Sequence, residues 1–131
     1  MDTSIFSKII NREIPANIIA ENDNYIAFLD VFPLSKGHTL IVPKKQVDYI
    51  FDLEDDLLAG LHLFSKKIAL AIGKTIDCKR IGTAVIGLEV PHTHIHLVPI
   101  NNISDLDFTK DKLKFSNEEM TSIAEKIIAE L

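Results

Sequence analysis

The chain has 131 residues, of which 47% are hydrophobic and 25% are charged, with 14 Lys and Arg against 19 Asp and Glu. This length and balance predict one globular domain over residues 1–131 and exclude intrinsic disorder as a general description. The net charge of −5 argues against polymeric nucleic acid as a partner, because phosphate backbones bind basic surfaces. No apolar run reaches the roughly 20 residues of a membrane helix, so no membrane partner is expected. The first residues do not resemble a signal peptide, which favours a cytoplasmic location.

The first half of the chain alternates short apolar runs with turn signals. Ser4 precedes an apolar turn, which predicts a short capped helix over residues 5–10. Two runs rich in β-forming residues, 18–20 and 25–29, flank a polar turn and predict a hairpin. A third strand is expected over residues 38–42, before a proline that closes it.

The second half predicts a long helix, two strands and a final helix. Apolar residues recur at three- and four-residue spacing over residues 53–72, which indicates one long amphipathic helix. Residues 79–86 and 93–100 predict a fourth and a fifth strand. A capping-box pattern at Ser116 begins a C-terminal helix. Short connections and more strands than helices favour an α+β fold with a five-stranded antiparallel sheet.

Three of the five histidines lie within residues 91–99. Because side chains alternate along a strand, His92, His94 and His96 are expected on one face at steps of about 7 Å. We expect the apolar residues between them to enter the core and the imidazoles to face outward. Three imidazoles on one face indicate catalysis or metal binding, since imidazole titrates near neutral pH.

Two chemistries fit this row of imidazoles. His-x-His pairs on a strand can chelate zinc, but rings spaced along a straight strand converge on one ion more readily in pairs than in threes. Alternatively, a neutral imidazole attacks phosphorus while its neighbours orient it and stabilise charge. The residues alone leave a metallohydrolase and a nucleophilic enzyme open.

The segment from His92 to Val98 resembles the His-φ-His-φ-His-φ-φ motif of the histidine-triad superfamily, where φ is apolar. Four further blocks resemble the family's blocks in the same order, and they are residues 5–9, 13–16, 27–30 and 37–45. The resemblance extends over roughly residues 4–99 and is strongest to the branch of nucleoside phosphoramidases and nucleotide hydrolases. It implies a fold with one long helix, a short N-terminal helix and a C-terminal helix, chemistry that needs no cofactor, and a homodimer.

The resemblance also implies a role for each matching residue. His94 corresponds to the nucleophile that attacks the α-phosphate and forms a covalent nucleotidyl-histidine. His92 and His96 correspond to its flanking partners, and His38 to the fourth histidine of the site. Asp30 corresponds to the acid that holds the ribose hydroxyls. The apolar positions around the base and sugar correspond to Ile5, Phe6, Ile9, Phe28 and Val31.

The chain departs from the family's pattern at three places, and the first is Thr93, which stands at an apolar position of the motif but is β-branched and still suits a strand. Many members have a loop with Asn, Gly and Gln before the triad, whereas residues 84–91 contain no Asn, Gln or Ser. Glu89 places a carboxylate there, and since like charge disfavours a phosphate, we expect Glu89 to face a leaving amine. Some members bind structural zinc through N-terminal cysteines. Ser4 and Ser7 stand at that spacing and are poor zinc ligands, so no metal is expected.

The function predicted from the sequence is hydrolysis of the bond between the α-phosphorus of a nucleoside 5'-monophosphate and an amine, through a nucleotidyl-histidine. The expected ligand is a purine nucleotide or a related nucleoside phosphate. A dinucleoside polyphosphate hydrolase, a nucleotide-binding regulatory protein with low turnover and a metallohydrolase are the alternatives. The apolar strand over residues 81–86 would leave an uncovered edge, so we expect a two-fold homodimer built on it and the long helix.

Overall fold

Five strands form one antiparallel sheet in the computed structural model, which describes residues 3–131. In chain order they are β1 (Ile18–Glu21), β2 (Tyr25–Leu29), β3 (Thr39–Pro43), β4 (Arg80–Ala84) and β5 (Ile95–Ile100). Their order across the sheet is β1-β2-β3-β5-β4, and every neighbouring pair is antiparallel. The predicted fold class is confirmed, and the last strand of the chain lies inside the sheet.

In the described part of the chain, three α-helices accompany the sheet, namely α1 (Ile5–Ile10), α2 (Asp55–Thr75) and α3 (Asn117–Ile128). Single 3-10 turns lie at Ile50–Asp52 and Ile103–Leu106. Each predicted helix is present, while β4 and β5 are shorter than the predicted strands because their outer residues leave the ladder. Across residues 3–131, no helix combines the length and the apolar character that crossing a membrane requires.

Both faces of the sheet are covered. On one face, Leu61 and Ile68 of the apolar stripe of α2 pack against Ile41, Ile95 and Leu97. The opposite face packs against α1, and this smaller cluster contains Phe6, Ile9, Ile26, Phe28, Leu40 and Val42. Because both faces are covered, every residue of β2 and β3 is buried, and the two strands do not alternate between buried and exposed residues.

The register of β5 decides which face receives the histidines. His96 pairs with Leu40 of β3 and with Ala84 of β4. Because paired residues share a face of the sheet, His96 lies on the α1 side. Its neighbours Ile95 and Leu97 point to the α2 side, where they are 1% exposed. β5 therefore contributes apolar side chains to the core on the α2 side and a histidine ring to the α1 side.

Two glycines of α2 test the packing of this core. A Cβ on Gly60 would overlap the Tyr25 hydroxyl, which donates a 2.9 Å hydrogen bond to the Leu57 carbonyl, whereas a Cβ on Gly73 would meet nothing within 4 Å. Alanine favours a helix interior over glycine by up to about 1 kcal/mol. We expect Gly73→Ala to raise the free energy of unfolding by roughly 0.5–1 kcal/mol and Gly60→Ala to lower it by about 1–3 kcal/mol. Urea unfolding measures both, and equal effects would contradict the packing described for Tyr25.

Candidate active site

Four buried histidine rings form a row, in which Phe6 contacts both His92 and His94. The ring centroids of His94 and His96 are 4.9 Å apart, and those of His96 and His38 are 5.2 Å apart. Phe6 of α1 lies 4.9 Å from the ring of His94 and 5.9 Å from that of His92. The structure thus brings together all four histidines named from the sequence.

The expectation that the imidazoles face outward is wrong. The four histidines are between 0% and 8% exposed. Alternation along the segment does hold, since Thr93 points to the opposite side and donates to the Val47 carbonyl at 2.7 Å. The row is buried because α1 places Phe6 over its first half and the segment after β5 places Phe108 over His96, with ring centroids 4.7 Å apart. The alternation of residues along one strand could not indicate that Phe6 and Phe108, from other segments, pack over the rings.

The ring of His94 is fixed by a main-chain carbonyl. Its Nδ1 lies 2.8 Å from the carbonyl oxygen of His92, which can only accept a hydrogen bond, so Nδ1 carries the proton. In the neutral ring, the lone pair is then on Nε2. Burial lowers the pKa of His94, while the His92 carbonyl and the charge of Glu89 oppose that shift. His94 therefore offers an unprotonated Nε2 at neutral pH.

His38 and His96 form a second relay with the opposite result. The Leu34 N–H donates to Nδ1 of His38 at 2.9 Å, which leaves the proton of that ring on Nε2. Nε2 of His38 then donates to Nδ1 of His96 at 2.9 Å, so His96 carries its own proton on Nε2. Burial, followed by the neighbouring imidazoles, lowers the pKa of His38 to about 3 and that of His96 to about 4. Both rings are neutral, and His96 presents a donor.

His92 is tied to the N-terminal helix rather than to a ligand. Its Nε2 donates to the Pro43 carbonyl at 2.7 Å, and its Nδ1 accepts from the Ser4 hydroxyl at 2.6 Å. The Ser7 hydroxyl and the Ser4 N–H both donate to Oε1 of Gln46 at 2.9 Å. Two hydroxyls, an amide oxygen and an imidazole already used as an acceptor do not fit a zinc site. Hydrogen bonds hold this corner together.

Asp30 combines a turn role with a position beside the row. Its Oδ1 accepts from the Phe32 N–H at 2.9 Å, and its Oδ2 lies 3.6 Å from Nε2 of His38. Burial raises the pKa of Asp30, against the lowering effect of the Phe32 N–H. Asp30, His38 and His96 offer ligand atoms within 4.8 Å of one another, as a metal site would. However, Nε2 of His38 carries a proton that it donates to His96, so this nitrogen has no lone pair to offer a metal ion.

The five apolar residues expected around the nucleoside divide into two groups. Phe6, Ile9 and Phe28 are at most 8% exposed and belong to the core under α1. Ile5 and Val31 are 52% and 60% exposed. A ligand can therefore reach Ile5 and Val31 directly, while the other three mainly support the site.

A cavity of about 320 Å³ opens beside the row. Its lining comes from the loop before the triad, from the segment after β5 and from the row itself, namely Asp30, Phe32, His38, Ile86, Gly87, Leu88, Glu89, His94, His96, Phe108, Thr109 and Lys112. Glu89 lies in this lining, as the sequence led us to expect. Sequence reasoning missed Phe108, Thr109 and Lys112, because they lie in a segment without a periodic pattern.

The buried pair of histidines makes stability depend on pH. His38 and His96 stay neutral in the folded protein well below pH 6.5, whereas the unfolded chain takes up protons near that pH. Because the unfolded chain binds more protons, the free energy of unfolding falls as the pH decreases from 7 to 5, by about 2 kcal/mol for His38. Urea unfolding at several pH values measures this slope. His38→Gln should reduce the slope, and the matched control His62→Gln, on the exposed side of α2, should not. A slope that His38→Gln leaves unchanged would contradict the buried neutral state.

Comparison with known proteins agrees with this geometry. The sequence-family model of the HIT domain matches residues 11–103. An uncharacterised HIT-like protein of Methanocaldococcus jannaschii is 41% identical over 99 residues, which are 72% of this chain and 77% of that protein. The adenosine 5'-monophosphoramidase of Schizosaccharomyces pombe is 31% identical over 129 residues, which are 97% of each. The crystal structure of a HIT-like protein from Bartonella henselae has a TM-score of 0.86 at 30% identity and covers 100% of this chain and 99% of its own. The chain therefore belongs to the HIT family, the histidine-triad superfamily that its motif resembles.

Proposed function

We propose that the protein hydrolyses nucleoside 5'-monophosphates that are bonded through phosphorus to an amine. The observation that carries this proposal is the opposite state of two ring nitrogens in one cavity. Nε2 of His94 carries a lone pair, and Nε2 of His96 carries a proton. A nucleophile beside a hydrogen-bond donor suits attack on a phosphoryl group. The similarity to a monophosphoramidase adds support.

The reaction would proceed in two displacements. In the first, Nε2 of His94 bonds to the α-phosphorus, the bond from phosphorus to the amine nitrogen breaks, and the amine takes a proton from solvent. The ring then carries positive charge, which the hydrogen bond from Nδ1 to the His92 carbonyl stabilises. In the second, water attacks phosphorus and loses a proton to solvent, the bond from phosphorus to Nε2 of His94 breaks, and the monophosphate leaves a neutral His94 ring. His96 would donate to a phosphoryl oxygen throughout.

The nucleoside would occupy the side of the site that Asp30 borders. A carboxylate oxygen close to the row can accept hydrogen bonds from ribose hydroxyls, and the exposed Ile5 and Val31 offer an apolar surface to a base. Apolar contact does not select one base edge, so a purine is proposed from the family resemblance alone. Glu89 in the cavity favours an amine over a further phosphate as the leaving group.

The alternatives differ in what they do with substrate. A dinucleoside polyphosphate hydrolase would cleave an anhydride faster than a phosphoramidate, and a regulatory protein would bind nucleotide without a covalent intermediate. A metallohydrolase would retain stoichiometric metal after purification, which elemental analysis measures. The protonated Nε2 of His38 weighs against this last reading.

We also propose a two-fold homodimer built on β4 and α2. β4 is an edge strand of the sheet. Exposed apolar side chains lie on α2, directly after β4, or beside the residues that follow β4. They are Tyr49, Phe51, Leu63, Leu70, Val85 and Ile86. Such a surface is usually covered. A monomer mass by light scattering at micromolar concentration would contradict the dimer.

The cytoplasmic location stays a prediction, which fractionation of expressing cells would test.

The nucleophile can be identified by trapping its covalent intermediate. Protein quenched during turnover of an adenosine phosphoramidate should carry an acid-labile, base-stable nucleotidyl group on the peptide that contains His94. His94→Ala should lose both label and turnover, because no other group supplies the attacking nitrogen. His96→Ala should retain turnover reduced by roughly 10²–10⁴-fold, since it removes a supporting donor. Lys126→Ala, at an exposed position of α3 away from both the cavity and the proposed dimer surface, is the control and should leave label and turnover unchanged. Near-normal turnover by His94→Ala, or label on His96, would overturn the mechanism.

The ribose contact can be isolated with a modified sugar. Asp30→Ala should weaken binding of a nucleoside monophosphate by roughly 1–3 kcal/mol, because a charged acceptor is lost. On the wild type, a 2',3'-dideoxy nucleotide should lose most of the same affinity, and on Asp30→Ala it should lose little more. Isothermal titration calorimetry measures all four affinities. Equal losses from the sugar change on both proteins would show that Asp30 serves only its turn with Phe32.

A further inference from the structure

The cavity beside the histidine row carries an unusual set of charges for a phosphate site. Asp30 and Glu89 both line it with carboxylates. The loop over residues 84–91, where many family members have amides, contains no Asn, Gln or Ser. Among residues 3–131, Lys112 is the one lysine or arginine in the lining of this cavity. The cavity that would receive a phosphate is therefore lined by two acidic side chains and one basic one.

The histidines do not supply the missing positive charge. Nδ1 of His38 accepts from a main-chain N–H, and Nδ1 of His96 accepts from His38, so each ring holds one proton. His94 must keep Nε2 unprotonated to act as a nucleophile. Burial lowers the pKa of each of these three imidazoles, in agreement with their contacts. Neutral imidazoles can donate hydrogen bonds to a phosphate but do not neutralise it.

The ammonium of Lys112 is held in place before any ligand arrives. It donates to the carbonyl oxygens of Phe108 at 2.6 Å and of Lys110 at 2.9 Å. These two bonds use two of its three protons and leave one for another acceptor. The segment itself is anchored by the Leu113 N–H, which donates to the Pro33 carbonyl at 2.8 Å, and by Phe108 against His96. Two carbonyl contacts thus hold the ammonium of a residue that lines the cavity.

We propose that Lys112 is a nucleotide-binding residue that neutralises the substrate's phosphate, a role the loop before the triad does not fill in this chain. The substrate class it selects is a nucleotide with an anionic 5'-phosphoryl group. Lys112 would act by charge and one hydrogen bond, both present when the nucleotide binds and in the following steps. This inference rests on the proposed function, because it takes the cavity as the nucleotide site.

The experiment compares two ligands that differ by the phosphate. Adenosine and adenosine 5'-monophosphate are titrated into the wild type and into Lys112→Met at low salt, where charge effects are least screened. We expect Lys112→Met to weaken monophosphate binding about tenfold or more, as loss of a charged hydrogen bond does, and to leave adenosine binding unchanged. Lys112→Arg should restore most of the affinity because it keeps the charge. For the phosphoramidate substrate, Lys112→Met should raise KM more than it lowers kcat.

Lys110→Met is the matched control. It removes one positive charge from the same segment, but its side chain does not line the cavity, so monophosphate affinity should stay within twofold of the wild type. Equal monophosphate affinity for the wild type and Lys112→Met would overturn the inference, as would equal losses for both ligands, which indicate a structural role. A wild type that binds neither ligand would remove the proposed nucleotide site itself. Binding that depends on Lys112 without any label on His94 would leave the inference standing and remove the hydrolase.

Discussion

The site depends on hydrogen bonds from histidine rings to main-chain groups. The Leu34 N–H, the His92 carbonyl and the Pro43 carbonyl each meet one ring nitrogen at 2.7–2.9 Å. A carbonyl can only accept and an N–H can only donate, so each contact decides which nitrogen of its ring is protonated. Main-chain groups are held by the sheet and by its turns. The fold therefore sets the tautomer of each neutral ring.

Burial of four imidazoles is costly unless each polar atom is satisfied, and the packing around the row meets that requirement. Within residues 3–131, no buried side-chain nitrogen or oxygen lacks a hydrogen-bond partner. At the His92 end, Ser4 contributes twice, since its hydroxyl caps α1 by accepting from the Ser7 N–H and donates to Nδ1 of His92. Ser4 thus stabilises the first turn of α1 and also positions His92, whose carbonyl orients the ring of His94. A zinc ion is not needed for that connection.

Much of this arrangement could be predicted from the sequence, and the remainder has identifiable reasons. The spacing of apolar residues and the capping residues predicted the three helices and five strands of the described chain, because both signals are local in the sequence. The motif predicted which histidines come together. Strand order could not be predicted, since β5 inserts between β3 and β4 through contacts distant in the chain. Burial of the row could not be predicted for the same reason. Phe6 lies 86 residues before His92, and Phe108 lies 12 residues after His96. Gln46 and Lys112 belong to loops, where no periodicity marks a residue as facing a site.

The site needs an unprotonated nucleophile and also a positive charge for the phosphate, and the histidine row cannot provide both. A protonated row would attract phosphate but would block the lone pair of His94, and it would also lose the acceptor on His96 that His38 requires. A neutral row keeps the nucleophile but offers only hydrogen bonds to an anion. Attraction must then come from a group that is not hydrogen-bonded into the row, and Lys112 lies on a separate segment, tied to carbonyls of its own turn. Separating the nucleophile from the counter-charge lets each keep its protonation state while both line one cavity.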